Sequence, residues 1–290
     1  DINVTASGST SRDEFLCPLD GGVGGRTITF TGDAAITYGG HGHAFHFPYT
    51  SSNLDTQVVF TVTGTTPSTA VTLENLALKG LKPAHLSIDE GTSLCFGDQT
   101  IIELQEDWTG ADALAQTLTF GSDSGATNET MCINLNGHVM DFASADAQIT
   151  LQGSTGSSLR IMNGKLLNLS GTKLAIPAAT TLILEDVDIA LSGNYTFSNA
   201  ALTFKGRNII RGASGAVFNN QSSANLTIDS RARLTLLDGV VYSHHNEGAA
   251  NFQFSDATSE LELIGGTFRR PDPSVSTATL KLHTGRVIID

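Results

Sequence analysis

Two short clusters carry side chains whose types and spacing could do chemistry. The first is Gly39-Gly-His-Gly-His-Ala-Phe-His-Phe47, in which His41 and His43 stand two residues apart. Alternate residues of an extended strand share a face, so these imidazoles would point one way and His46 the other. Neutral imidazoles at that spacing suit Zn²⁺ or Cu²⁺; the competing reading is a surface loop with aromatic anchors. The second is Glu185-Asp-Val-Asp188, where Asp186 and Asp188 would share an outward face and could hold a hard cation such as Ca²⁺. A solvated turn of mutually repelling acids is the plainer alternative, and no basic partner is evident opposite them. His244-His245-Asn-Glu247 is a weaker cluster, because adjacent strand residues point to opposite faces. No Gly-x-Ser-x-Gly elbow, Gly-x-Gly-x-x-Gly turn or Walker-type loop occurs, and no cofactor is expected. Trp108, Tyr38, Tyr49, Tyr195 and Tyr242 offer stacking surfaces for sugars, with inward packing as the alternative.

The elements that would position these groups are set by repetition. An apolar-x-apolar strand, a tight turn and a second apolar pair recur as Ile133–Met140, Leu159–Leu167, Leu182–Ala190, Leu202–Ile210, Leu234–Tyr242, Leu261–Arg269 and Leu280–Ile289. Taking coil starts at 133, 159, 182, 202, 226, 252 and 280 gives intervals of 26, 23, 20, 24, 26 and 28 residues. That length accommodates three short strands and three turns, and a periodic strand-turn pattern points to stacked repeats. The expected architecture is all-β, a single-stranded parallel β-helix (β-solenoid) with coils of about 20–28 residues. In such a stack Asn136 and Asn163 should occupy equivalent turns, their amides in reach of each other. Glycines 137, 164, 206, 239, 266 and 285 fit turns needing positive φ. The third copy has Val187 instead, which predicts a different turn there.

Residues 26–290 are expected to form one continuous solenoid, less regular before 130, and 1–25 a polar arm or cap ending in Gly21-Gly-Val-Gly-Gly25. Residues 105–116 are the one expected helical or irregular excursion. The net charge is −13, which repels phosphate backbones and argues against nucleic acid as a partner. No apolar run reaches the length of a transmembrane helix. The chain opens on Asp1 without a charged-then-apolar leader, so a signal peptide, if there was one, is expected to have been removed already. Few lysines and a Ser/Thr/Asn-rich composition place the protein outside the cell, secreted or on the cell surface. Cys17, Cys95 and Cys132 permit at most one disulfide, and buried free thiols are the favoured reading. Six Asn-x-Ser/Thr sites (Asn3, Asn128, Asn168, Asn194, Asn220, Asn225) are adequately explained by composition.

The segment Ile133-Asn-Leu-Asn-Gly-His-Val-Met-Asp-Phe142 resembles the Leu-Asn-Gly-His coil of right-handed parallel β-helix proteins of the pectate-lyase-like kind. Thr203-Phe-Lys-Gly-Arg-Asn208 is similar to coils of bacterial surface and autotransported β-helices. The resemblance implies a right-handed solenoid, an architecture that hosts lyases, hydrolases, adhesins and structural fibres alike. Of the polygalacturonase set, only Gly40-His41-Gly42 is present; Asn-Thr-Asp, Asp-Asp and Arg-x-Lys are missing.

A solenoid leaves unpaired strand edges at its ends, and Leu280–Asp290 stops within a coil pattern without a capping helix. The function expected is therefore a structural, self-associating solenoid forming a fibre, filament or coat through its arm and terminal coil. An activity as enzyme is the less favoured expectation. The alternatives are a carbohydrate-binding or polysaccharide-cleaving β-helix, with surface carbohydrate as partner, and an adhesin passenger fragment.

Overall fold

The structure, a computed structural model, describes residues 26–31, 34–37, 44–46, 58–63, 70–74, 77–88, 93–121, 127–153, 155–245, 252–269, 280–281 and 284–290. Every described strand pairing between coils is parallel, in register apart from shifts between Leu166 and Gly171, and the coils build a β-solenoid. The chain visits three faces in a fixed order. The first face runs without a break from Ala44–His46 through Ala77–Lys79, Ile101–Glu103, Thr130–Asn134, residues 158–162, residues 181–185, Ala201–Lys205, Leu226–Ile228 and Phe252–Phe254 to Leu280–Lys281. The second holds Val139–Asp141, residues 165–167 and 187–191, Arg207–Gly212, Arg233–Leu237, Glu260–Ile264 and Arg286–Ile289. The third carries Ala34–Thr37 through Leu174–Ala175, then residues 195–197, Val217–Asn220, Val241–His244 and Thr267–Arg269.

Alternation along each strand sends every second side chain inward, and the in-register stack places it on its own equivalent one strand spacing away. On the first face this makes an unbroken column: Leu78, Ile102, Ile133, Ile161, Leu184, Phe204, Ile228 and Phe254. All eight are buried, and each contributes roughly 1.5–3 kcal/mol relative to an exposed side chain. On the third face Tyr195 meets Phe218 edge to face, and Phe218, Tyr242 and Phe268 stack, with successive ring centroids 5.0, 5.2 and 5.5 Å apart. Trp108 is also fully buried and donates its indole N–H to the Leu81 carbonyl at 3.0 Å. These rings are core, so Trp108, Tyr195 and Tyr242 are not sugar platforms; Tyr38 and Tyr49 lie outside the described residues.

The repeated segment proves to describe two different corners. Ile133–Met140, Leu159–Leu167, Leu182–Ala190 and Leu202–Ile210 link the first face to the second, whereas Leu234–Tyr242 and Leu261–Arg269 link the second to the third. The coil starts at 159, 182, 202, 226, 252 and 280 stack directly on one another. The one at 133 is displaced, because Met131 and not Ile133 pairs with Leu159. The excursion at 105–116 contains a single 3-10 turn, Gly110–Asp112.

The left-handed residue of the first corner is Asn163 (φ 58°), then Asp186 (54°), then Gly206 (62°) in successive coils. Asn and Asp tolerate this conformation better than other residues with a Cβ. Val187 is therefore an ordinary buried strand residue in register with Gly164, and the expected change of turn does not occur. Asn163 bonds the side chain of Asn134 (3.3 Å), while Asn136 reaches the Leu104 carbonyl, so the expected amide pair forms two residues away from its anticipated place. Gly164 is required for a different reason from φ: a Cβ there would lie 2.4 Å from the Leu135 Cβ and 2.5 Å from the His138 carbonyl. Among the described residues no helix is long and apolar enough to cross a membrane.

Gly164→Val is expected to lower stability by about 1–3 kcal/mol, the usual cost of forcing atoms into a packed site. Chemical denaturation measures it, and an unchanged midpoint would refute this account of the corner.

Candidate functional site

The acidic cluster sits at the corner from the first face to the second, and the structure separates its members. Glu185 ends a first-face strand and pairs with Arg160 of the preceding coil. Asp186 occupies the left-handed corner position and accepts the backbone N–H of Arg207 at 2.7 Å. Asp188 lies on the outer side of the second face, in an ion pair with Arg211 at 2.8 Å. Each carboxylate is thus engaged with a neighbouring coil, and the basic partners that the sequence did not disclose are Arg160 and Arg211. They became adjacent only through stacking, at separations of 25 and 23 residues.

His41 and His43 lie outside the described residues. His244 is fully buried beneath the third face, with its Nδ1 3.1 Å from the Asn220 amide, so it belongs to the interior polar column and not to a surface cluster. Among the described residues no three His, Cys, Asp or Glu side chains converge as a metal-binding group. His138 and Asp107 form a more exposed pair at 3.1 Å, and the same carboxylate accepts the Val139 N–H at 3.0 Å. That pair clamps one coil to the next. Three of the Asn-x-Ser/Thr asparagines serve the same purpose: Asn168 bonds Asp141, Asn194 accepts the Val217 N–H, and Asn220 is buried against His244.

Cys95 is buried on the third face, and Cys132 is a free thiol on the first. Burial raises the Cys132 thiol to about 11, and Glu185 adds to that rise while Arg160 opposes it. Cys17 lies outside the described residues.

Among the described residues, two clefts on the outer surface carry polar and charged linings. One, of about 490 Å³, is lined by Asp146, Gln148, Ser170, Thr172 and Lys173 among others. Its only cation is committed, since the Lys173 ammonium donates to the Phe142 and Ser144 carbonyls. The other, of about 400 Å³, lies where the second face begins and is lined by Arg207, Arg231, Arg233, Ala257, Thr258, Glu260 and Arg286. Arg233 is held between Glu260 (2.6 Å) and Glu262 (3.1 Å), and Arg286 also pairs with Glu260. Asp256, beside Arg231, has its carboxyl held below the usual range by the Ser230 and Thr258 hydroxyls, with a smaller effect from Arg231. Its stabilising effect is present at neutral pH and is lost as the pH falls through that lowered value.

This arginine group is the arrangement that a reading of the sequence misses, because its members look isolated along the chain. The signal lies at the coil period: Arg207 and Arg233 are 26 residues apart (233 − 207) and stack in register. The side chains therefore share one surface. Compared with known proteins, the chain matches no family model, no curated protein and no solved structure.

At pH 8 the native Cys132 is expected to be alkylated by iodoacetamide about a hundredfold more slowly than an ordinary exposed thiol, because its thiolate fraction falls with the raised pKa. Residue-resolved mass spectrometry follows the reaction, and labelling at the rate of the unfolded chain would contradict the placement.

Proposed function

We propose that this protein is a structural β-solenoid of the secreted or cell-surface kind that associates with copies of itself head to tail. The observation that supports this reading is the terminal rung. Arg286–Ile289 pairs with Glu260–Ile264 on one side, and no described strand lies on its other edge. Its inner residues continue buried columns: Val287 stacks on Leu261, and Ile289 on Leu263. Yet Val287 is 43% exposed and Ile289 78% exposed.

Arg26–Thr31 pairs with Val58–Thr63, and no described strand lies on its other edge. Because every rung is parallel to the next, these two edges are complementary to each other. A contact between two such different surfaces does not close on itself and propagates as a filament. The exposed apolar side chains of Val287 and Ile289 support a second copy of the chain as the occupant of this edge. The acidic, lysine-poor, Ser/Thr/Asn-rich composition supports the extracellular setting.

Light scattering coupled to size exclusion, with negative-stain microscopy across a concentration series, tests this function. Oligomers or filaments growing with concentration are expected for the native chain. The double variant Val287→Lys, Ile289→Lys should remain monomeric with an unchanged circular dichroism spectrum. A native chain that stays monomeric at high concentration disproves the reading.

A further inference from the structure

On the outer faces the in-register stack brings charges as well as apolar groups into contact, and opposite signs across neighbouring strands are favourable whereas like signs are not. The described register follows this rule with one exception. Lys79 stands beside Glu103, Lys165 beside Asp188, Glu185 beside Lys205, and Glu260 beside both Arg233 and Arg286. Arg207 stands beside Arg233. That like-charged step lines the cleft of about 400 Å³, together with Arg231 and Arg286.

Of the four guanidiniums, Arg233 and Arg286 are engaged by Glu260, while Arg207 and Arg231 make no ion pair among the described residues. Both are exposed at the rim of the cleft. The lining therefore carries four arginines against the single carboxylate of Glu260, on a chain whose net charge is −13. Ala257 is its one apolar residue.

We infer that the Arg207–Arg231–Arg233 cleft is a binding site for a tetrahedral oxyanion, a sulfate or phosphate group, either free or carried on a polyhydroxylated ligand. A guanidinium presents a planar fork of donors that matches such oxygens in a bidentate way, which an ammonium does not. Arg233 is fixed in place by Glu260 and Glu262, so it offers its face of the cleft without a conformational cost on binding. The anion sits between Arg207 and Arg233 and removes the repulsion that the register imposes there. The cleft volume lies within the range of small-molecule sites, and its polar lining suits a hydroxyl-rich body behind the anionic group. This site is on a lateral face, and one of its arginines, Arg286, comes from the terminal rung.

Isothermal titration of the full chain with inorganic sulfate, inorganic phosphate, and a sulfated disaccharide beside its desulfated counterpart provides the test. Saturable binding of at least one anionic probe is expected, together with a rise in melting temperature. Arg207→Gln and Arg231→Gln should each weaken it about tenfold or more, as loss of a charge-assisted hydrogen bond does. Arg211→Gln, an arginine of the same face outside the cleft, serves as the control and should leave the affinity unchanged. Arg207→Lys should retain only part of it. Tighter binding of the sulfated disaccharide than of the free ions assigns the anion to a larger ligand; equal binding assigns a free ion, and the site stands in both cases. Absence of saturable binding by every anionic probe overturns the inference, as does equal binding of the desulfated disaccharide or loss of affinity in Arg211→Gln as large as in Arg207→Gln. Each variant is checked for an unchanged circular dichroism spectrum. Because Arg286 lines the cleft and belongs to the terminal rung, the titrations are run at a concentration where size exclusion shows the native chain as a monomer, which keeps this result separate from the assembly test.

Discussion

Parallel, in-register stacking is the constraint from which the rest of this structure follows. Each residue lies one strand spacing from its equivalent in the next coil, so whatever the chain places at a position it places on top of itself. For aliphatic and aromatic side chains the repetition is favourable, and the interior is a set of columns: Leu78 to Phe254 on one face and Tyr195 to Phe268 on another. Polar groups can enter only where the stack also satisfies them. Asn208 is buried in line with Val187 and Leu234, and it is tolerated because its amide accepts the Val187 N–H and donates to the Lys205 carbonyl. Asn220 and His244 occupy the third face on the same terms.

The corners show the constraint acting on the backbone. Asn163, Asp186 and Gly206 share one left-handed conformation through three coils although they are three different residues. What is held constant is the conformation, which the strands on either side impose, and the side chain is free to vary among those that accept it. A Cβ at Gly206 would collide with the Asp186 carboxylate at 2.3 Å, so the aspartate in one coil commits the next to glycine. Conversely the carboxylate gains the Arg207 N–H, which links the corner of one coil to the strand of the following one.

Much of this was legible in the residues, and the reasons for the remainder are specific. The starts at 159, 182, 202, 226, 252 and 280 could be found because Leu and Phe columns need no knowledge of the turns between them. The start at 133 was misplaced because the corner of that coil has four residues between its strands, 135–138, where the next has two, 163–164. Insertions at corners leave the columns intact and so leave no mark on the apolar pattern. Val187 misled for a related reason: sequence alignment put it opposite the glycine, but the conformation that matters belongs to the residue before it. The acidic cluster at 185–188 was read as isolated since its partners Arg160 and Arg211 are a full coil away. Ion pairs in a solenoid are long-range in sequence and nearest-neighbour in space, and only a known period connects them.

The same period separates stability from recognition. Inner columns and outer columns alternate along each strand, so a change at Arg207 or Arg233 faces solvent and the adjacent Asn208 or Leu234 does not. In a quasi-one-dimensional stack each coil contacts only its neighbours, and a local departure from charge alternation costs stability only at the step where it occurs. One unfavourable Arg-over-Arg step can therefore persist within a ladder whose interior is closed by aliphatic and aromatic columns. Its cost falls further because Glu260 and Glu262 neutralise the lower arginine and leave the upper one, with Arg231, facing the cleft. The ladder thus holds Arg233 between its carboxylates and leaves Arg207 and Arg231 uncommitted at the rim of the cleft, within reach of a ligand at little expense to the fold.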